Sequence, residues 1–563
     1  MLLFFGIKCK NHGIKNKIWV KFLVAKYEKI KRLVKRLAKH KYLVYNLVET
    51  DQIYGGIFMF DYILSKKGVT FKDLEEISFK IGCEFANELL KNLLEEFDKQ
   101  IMDTRDSSIY RHKGKVPTTI KAKTGLVEYK RTKYIEKCED GTTRCVFLAD
   151  EILNIKEIGQ VSGGIVEFIA QNIKEVSYRA CAEMISNMTG LSISSVGVWN
   201  IVQKLGEQIK QDEKERTQAY EEDKLKAGEK ETPVVYQEAD GIMIYTQGKD
   251  RKEQEEKYKK EHPNEEIPKK VRNVEMKLGM TYEGWKEVGT NRYALVGKEY
   301  VAGYMTGEEM AKITNSNLYS KYDMNKVELR VLNSDGGNWI KKLLVTKAIY
   351  QADSYHLREK ISTNVRETED AEVLKTMFNK KEYKKIIEYV EALKYKYDGE
   401  CDEVEKLEKL KKYLVKRKDC MKRYKDYDGV RTKIKTYSQK TGLKYRNMGC
   451  QESNNYCRLT RRMKHRRMSW SKRGSENLAK VITTYESESC LDITKHLNYQ
   501  LLPESFTEYA EKCIKKIEEN VKKMKKNKVK EKKVYTTKQG TIEGYPQIAK
   551  ILKNKAISEL IYR

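Results

Sequence analysis

The chain has 563 residues and carries 112 Lys and Arg against 82 Asp and Glu, a net charge of +30. With 34% charged and 40% hydrophobic residues it can build buried cores, which excludes wholesale disorder, and the length implies about three to four domains. No run of about 18 apolar residues is present, which argues against a transmembrane helix. The opening MLLFFGI is too short for the apolar stretch of a signal peptide and has no basic residues before it. Eleven cysteines, sparse and odd in number, argue against a disulfide scaffold. The expectation is a cytoplasmic, basic, multidomain protein with an anionic partner, nucleic acid first, held through phosphates and weakened by salt. AT-rich codon usage, which raises Lys, Ile, Asn and Tyr together, is the duller source of the same surplus.

Residues 1–58 contain KYEKIKRLVKRLAKHKYLVYNLV, a basic amphipathic helix pattern that suits nucleic acid or a membrane surface. Met59 opens a second plausible start, which would make this extension a mis-assigned one. Residues 59–104 predict a helix with Leu74, Ile77, Ile81, Phe85, Leu89 and Leu93 on one face. Residues 105–155 alternate and turn at Gly125 and Gly141, as a small β unit does. Cys138 and Cys145 lie across its second turn without the CxxC spacing or nearby His that a zinc site needs.

Residues 160–206 fit a helix-turn-helix. Ala180, Met184 and Ile185 face its core, Gly190 breaks the first helix, and Ser194 or Ser195 caps the second. Val198, Ile201, Val202 and Leu205 then form the buried stripe of that second helix. The start of such a helix enters the major groove, which makes Ser195, Val198 and Asn200 candidate DNA contacts. The Lys/Glu-rich stretches 207–232 and 248–272 predict a linker and a solvated loop. Within 233–356 the apolar runs VVYQEADGIMIYT, KVELRVLNSDGG and AIYQADSYH alternate with helical patterns, predicting a mixed α/β sheet. Residues 357–446 lose the strand pattern. KKIIEYVEALKYKY and CDEVEKLEKLKKYLVKR predict a helical hairpin turning at Gly399, so this region is an all-helical insertion. Residues 447–505 return to the sheet through a closing helix, and 506–563 form a basic tail.

Two aspartates fall where a sheet presents chemistry. Asp240 interrupts an apolar strand, and Asp335 ends one just before a helix. Buried carboxylates are costly without a partner, and Mg²⁺ suits paired carboxylate oxygens plus a substrate phosphate. Asp335 in an ordinary turn and Asp240 as a loop cap are the plainer alternatives. A third ligand is expected from GCQESNNYCRLTRRMKHRRMSWSKRG, read as one helix with Glu452 at its start. Tyr456, Leu459 and Met463 share the face toward the sheet, while Arg458, Arg461, Arg462, Arg466 and Arg467 are placed to meet a phosphate backbone. Glu238 and Glu476 are the competing carboxylates. Trp285 and Trp339 read as core residues, and His356 as either a packing residue or a neighbour of the site.

The order EADG, LNSDGGNWIK, QADSYH, GCQESNNYCRLTRRMKHRRMSWSKRG resembles the transposases of the ISLre-type bacterial insertion sequences, which are similar to Mutator-like DDE transposases. YRHKGKVPTTIKAKTGLVEYKR and the helix-turn-helix add to the likeness, which spans roughly residues 59–505. It implies an RNase H-like core interrupted by the helical insertion, with a catalytic and metal-binding triad of Asp240, Asp335 and Glu452. It also implies a site-proximal Asp353-x-x-His356 signature. QESNNY departs from the small, glycine-rich surroundings expected of the third acid. The implied activity is cleavage and strand transfer at element ends by in-line phosphoryl transfer with two Mg²⁺ ions, Mn²⁺ substituting, about 3.5–4 Å apart. The implied partners are double-stranded DNA (terminal inverted repeats and target) and further copies of the chain on that DNA. The implied location is the bacterial nucleoid, with no stable membrane association. An RNase H-like nuclease without strand transfer and a decayed, DNA-binding-only relative are the alternatives.

Overall fold

The computed structural model describes residues 70–138, 140–153, 160–189, 191–343, 348–449, 459–464, 468–490, 492–497, 506–512, 515 and 519. The 1–58 extension, Glu452, Arg458, Arg466, Arg467 and nearly all of the 506–563 tail lie outside them. The chain divides into two compact units. One comprises Leu93–Gly114, Thr132–Ile152 and the chain from Gln500 onward, and the other comprises the rest.

Helix α1 (Phe71–Thr104) starts at a reciprocal cap, in which the Thr70 amide donates to Asp73 Oδ2 at 2.8 Å and the Asp73 amide to Thr70 Oγ1 at 3.2 Å. Of its expected apolar face Ile77 is buried, but Leu74, Ile81 and Phe85 are exposed, which corrects that stripe. Strands β1 (Tyr110–Ala122), β2 (Gly125–Lys137) and β3 (Thr143–Val146) form a sheet in that order. In the smaller unit Asp98 is fully buried. It is satisfied by the Thr132 amide at 2.8 Å and hydroxyl at 2.6 Å, as a buried carboxylate must be.

The larger unit follows α2 (Leu148–Leu153) with α3 (Gly163–Asn172), α4 (Tyr178–Thr189) and α5 (Ser195–Glu221). The 207–232 linker expectation is therefore corrected, because α5 carries on for 27 residues. Lys, Glu and Gln are good helix formers. Side-chain pairs such as Gln208–Asp212 and Gln211–Glu215 support its polar length.

Strand β4 (Val234–Tyr245) leads to α6 (Gly248–Glu261), a helix with no buried residue where a loop was expected. Arg251 and Arg272 both hold Glu255 there, at 2.8 and 2.6 Å. Strands β5 (Asn273–Tyr282), β6 (Gly284–Gly289), β7 (Arg292–Val296) and β8 (Glu299–Gly303) precede α7 (Gly307–Lys321) and β9 (Leu329–Ser334). A 3₁₀ turn (Asn338–Leu343) then leads to β10 (Ile349–Ala352). The insertion supplies α8 (Ser354–Asn364), α9 (Thr368–Asn379), α10 (Tyr383–Lys396), α11 (Cys401–Arg417) and α12 (Val430–Thr441). Its hairpin core of Ile386, Val390, Leu393, Leu407, Leu410 and Leu414 is buried as the spacing predicts. The closing helix α13 runs Lys472–Glu486. The single helix expected upstream of it is, among the described residues, a short turn at Arg461–Met463.

Among the described residues the central sheet has five strands in the order β10-β9-β4-β5-β8, so the protein is mixed α/β. β9 and β10 run parallel to β4, and β5 is antiparallel to both β4 and β8. One face packs Ala239, Leu332 and Val301 against Met310 of α7. The other is covered in two patches. At one end Tyr236, Val331 and Tyr282 pack under Tyr424 and the Val430, Ile434 and Tyr437 stripe of α12. At the other, Ile242, Ile244 and Leu278 pack with Leu459, Met463, α5 and α13. Among the described residues no helix is long and apolar enough to cross a membrane.

Candidate active site

Strand register brings the two sequence-predicted aspartates together. Ala239 of β4 pairs with Ser334 of β9, so the next step along both chains brings Asp240, within β4, toward Asp335, the first residue past β9. Neighbouring strands lie about 4.8 Å apart, and residues paired in register share a face. Ser334 pairs in turn with Ala352 of β10, and the Asp353 amide donates to the Ser334 carbonyl at 2.7 Å, which continues that row to Asp353. One row thus crosses three adjacent parallel strands, with Asp240 inside β4 and Asp335 and Asp353 just past the ends of β9 and β10.

One step below them lies a second row. Glu238 pairs with Asn333, and Asn333 with Gln351. All three are buried. Gln351 Nε2 donates to Asn333 Oδ1 at 2.9 Å, and Asn333 Nδ2 donates to Asp353 Oδ2 at 2.7 Å and reaches Glu238 Oε2 at 3.5 Å. The Tyr282 hydroxyl donates to Glu238 Oε1 at 2.6 Å, and the Tyr424 amide to Gln351 Oε1 at 2.9 Å. Each of the three parallel strands therefore carries one pattern, a buried polar residue, one small residue, then aspartate: EAD, NSD, QAD. That signal was available in the sequence and Asn333 and Gln351 were missed. Below this ladder Tyr236 stacks on Tyr282 and donates to the Tyr424 hydroxyl at 2.9 Å. Burial pushes the Tyr236 hydroxyl well above its ordinary pKa.

The three aspartates differ in surroundings. Asp353 is buried and caps α8, with Oδ1 accepting from the Tyr355 and His356 amides at 2.7 and 3.4 Å and Oδ2 from Asn333. Its oxygens are occupied by donors, so it acts as a brace. His356 sits in the first turn of α8 with Nδ1 3.4 Å from Glu359. Asp240 and Asp335 are both half-buried. Asp240 Oδ1 accepts from the Gly241 amide at 2.7 Å, and Asp335 Oδ1 from the Gly337 amide at 3.0 Å.

Arg417, at the end of α11, was not anticipated from the sequence. Its guanidinium lies over the Tyr413 ring and donates to the Asp335 carbonyl from Nε at 3.0 Å and Nη2 at 2.7 Å, and to the Gly336 carbonyl at 3.2 Å. Gly336 adopts φ +86°, and a Cβ there would lie 2.5 Å from Arg417 Nε, so only glycine fits under the clamp. The insertion thereby holds the turn that carries Asp335.

Glu452 lies outside the described residues. Of its competitors, Glu238 belongs to the buried row. Glu476 accepts from the Tyr304 amide at 3.0 Å and pairs with Lys210 at 3.1 Å, which is a structural assignment. Among the described residues no group of three or more His, Cys, Asp or Glu is arranged to hold a metal.

The expected DNA contacts divide. Ser194 caps α5, accepting from the Gly197 amide at 3.0 Å; Ser195 is half-buried and Asn200 exposed, and exposed Val196 and Trp199 stand beside them. Val198 is fully buried in the core, so its nomination as a base contact is corrected. Arg462 is corrected too. It is buried, donates to the Ile173 carbonyl at 2.8 Å and lies over the Tyr178 and Trp470 rings, and burial lowers its pKa. Arg461 is exposed and pairs with Glu175 at 3.3 Å.

No curated protein matches the chain. A family model, described as an uncharacterised protein family (UPF0236), matches residues 64–493, which take in the insertion and the whole central sheet with its three aspartates. Over that span, and hence over most of its length, the chain belongs to UPF0236.

Proposed function

We propose that the protein is a DNA transposase of the DDE kind, and the observation that carries this is the register that sets Asp240 beside Asp335. The strand order supports an RNase H-like core. Counting along the chain from β4, the order is 3-2-1-4-5 with the second strand antiparallel to its neighbours, and the two acids lie within the first and just after the fourth. Glu452 is the third acid of this reading. It is three positions on from Gly449, whose amide lies 3.5 Å from Glu238 Oε1, and three steps of chain span at most about 11 Å.

The donor set fits Mg²⁺, which prefers hard carboxylate oxygens and keeps positions for water and phosphate. Asp240, Asp335 and Glu452 would hold it, and when bound it supplies charge neutralisation at phosphorus and a more acidic water. The protein's own part is positioning. The buried ladder fixes the three parallel strands, Arg417 fixes the Asp335 turn, and the start of α5, with half-buried Ser195 and exposed Val196, Trp199 and Asn200, faces outward as the second helix of a helix-turn-helix does. Exposed Arg461, with Arg458, Arg466 and Arg467, adds phosphate contacts.

The test is Mg²⁺-dependent nicking and joining by the full chain on DNA carrying the ends that flank its gene. Asp240→Asn and Asp335→Asn should abolish both steps while leaving DNA affinity unchanged. Wild-type cleavage by either variant overturns the assignment. Nicking without joining identifies a nuclease instead, and DNA binding without any nicking identifies a binding protein.

A further inference from the structure

The helical insertion is electrically split. Residues 357–414 carry fourteen Lys and Arg against fourteen Asp and Glu, whereas residues 415–446 carry twelve against three. In the first part the charges are largely matched in pairs, as in Lys394–Glu408 at 2.7 Å, Lys411–Glu391 at 2.8 Å and Arg366–Glu400 at 2.6 Å. In the second, among the described residues, Asp426 is the one acid seen in ion pairs, to Lys381 and Arg431.

Helix α12 displays this surplus. Val430, Ile434 and Tyr437 are buried on the sheet, so the rest of the circumference faces solvent. Arg431 and Lys435 stand on one flank, Lys433 and Lys440 on the other, and uncharged Thr432, Thr436 and Gln439 lie between. The helix contains no acidic residue. Exposed Lys444 and Arg446 continue the surface just beyond it. The helix covers the same sheet face that carries Tyr236, Glu238 and Asp240, and the same basic segment ends α11 with the Arg417 clamp on Asp335.

We propose that this face of the insertion, centred on Lys433, Lys435 and Lys440, docks the phosphate backbone of duplex DNA and leads it to the Asp240–Asp335 row. Cations on both flanks of a hydroxyl- and amide-bearing crest match a polyanion that also takes neutral hydrogen bonds at its phosphates. Unmatched lysines gain affinity by releasing condensed counterions, and lysines already paired to glutamate do not. The proposal rests on DNA being the partner of the transposase reading, and cleavage is not part of its test.

The experiment measures binding of the full chain to a fluorescein-labelled random-sequence DNA duplex by anisotropy across a salt series. The triple change Lys433→Glu, Lys435→Glu, Lys440→Glu is compared with Lys384→Glu, Lys409→Glu, Lys412→Glu in the neutral part, which alters net charge equally. The face variant should lose about tenfold or more in affinity and have a log–log salt slope shallower by about three, with the control close to wild type. The triple Lys→Gln variant, which introduces no repulsion, should shift the same way by less. Thermal melts establish that all variants are folded. Equal losses in face and control variants overturn the proposal, as does wild-type affinity of the face variant. Loss of binding to anionic vesicles with DNA affinity intact overturns it in favour of a membrane surface. Failure of cleavage by the wild-type chain would sink the transposase reading while leaving this result standing.

Discussion

Replacing Asn333 by leucine tests the buried ladder directly. Leucine keeps the side chain's branching and heavy-atom count and removes every polar contact. Gln351 Nε2 loses its acceptor at 2.9 Å, and Asp353 Oδ2 loses its donor at 2.7 Å, both in a buried setting. Each stranded group costs about 1–3 kcal/mol, the charged one at the upper end, so the expected loss is about 3–5 kcal/mol. The 3.5 Å approach to Glu238 adds little. Asn333→Asp should cost more than leucine, because it sets a third carboxylate between Glu238 and Asp353. Adding Gln351→Leu to Asn333→Leu should cost less than the sum of the two single changes, because the bond they share is lost once. The assay is urea unfolding followed by tryptophan fluorescence, with Trp285 packed on the same sheet face as reporter. A change under about 1 kcal/mol for Asn333→Leu would refute the ladder's role, since surface substitutions fall in that range.

Two further outcomes are expected. Arg417→Ala should slow Mg²⁺-dependent nicking about tenfold or more, equivalent to about 1.4 kcal/mol, with DNA affinity retained and the Mg²⁺ requirement raised. Arg417→Lys should restore only part of this, because an ammonium cannot fork across two carbonyls; nicking kinetics over a Mg²⁺ titration check both. Gly206→Ala should destabilise the α5–α13 crossing by about 1–3 kcal/mol, because its Cβ would lie 2.6 Å from the Asn477 backbone oxygen, and a thermal melt reads the change.

Much of the core was legible because apolar runs of strand length leave little choice. VVYQEADGIMIYT and the hairpin around Gly399 formed where their patterns placed them. The failures share a cause. Residues 207–221 and 248–261 have no apolar period, yet both are helical, because helix propensity and side-chain pairing suffice where a solvated or single-sided helix is anchored elsewhere. Leu74, Ile81 and Phe85 carry a helical period, yet these side chains are exposed. Arg462 and Val198 illustrate the opposite error. A residue type suited to DNA is no guide to exposure, which depends on what packs over it.

The linear chain determined the strands, the helical insertion, the surplus of positive charge and the aspartates in or just after apolar strands, since these follow from local side-chain chemistry and period. Tertiary structure alone decided that Asp240 and Asp335, ninety-five positions apart, each directly follow one residue of the Ala239–Ser334 pair on neighbouring strands, because pairing register is set by long-range packing. It alone brought Arg417 from a distant helix onto the Asp335 turn, through carbonyls that every sequence possesses and no sequence pattern reveals.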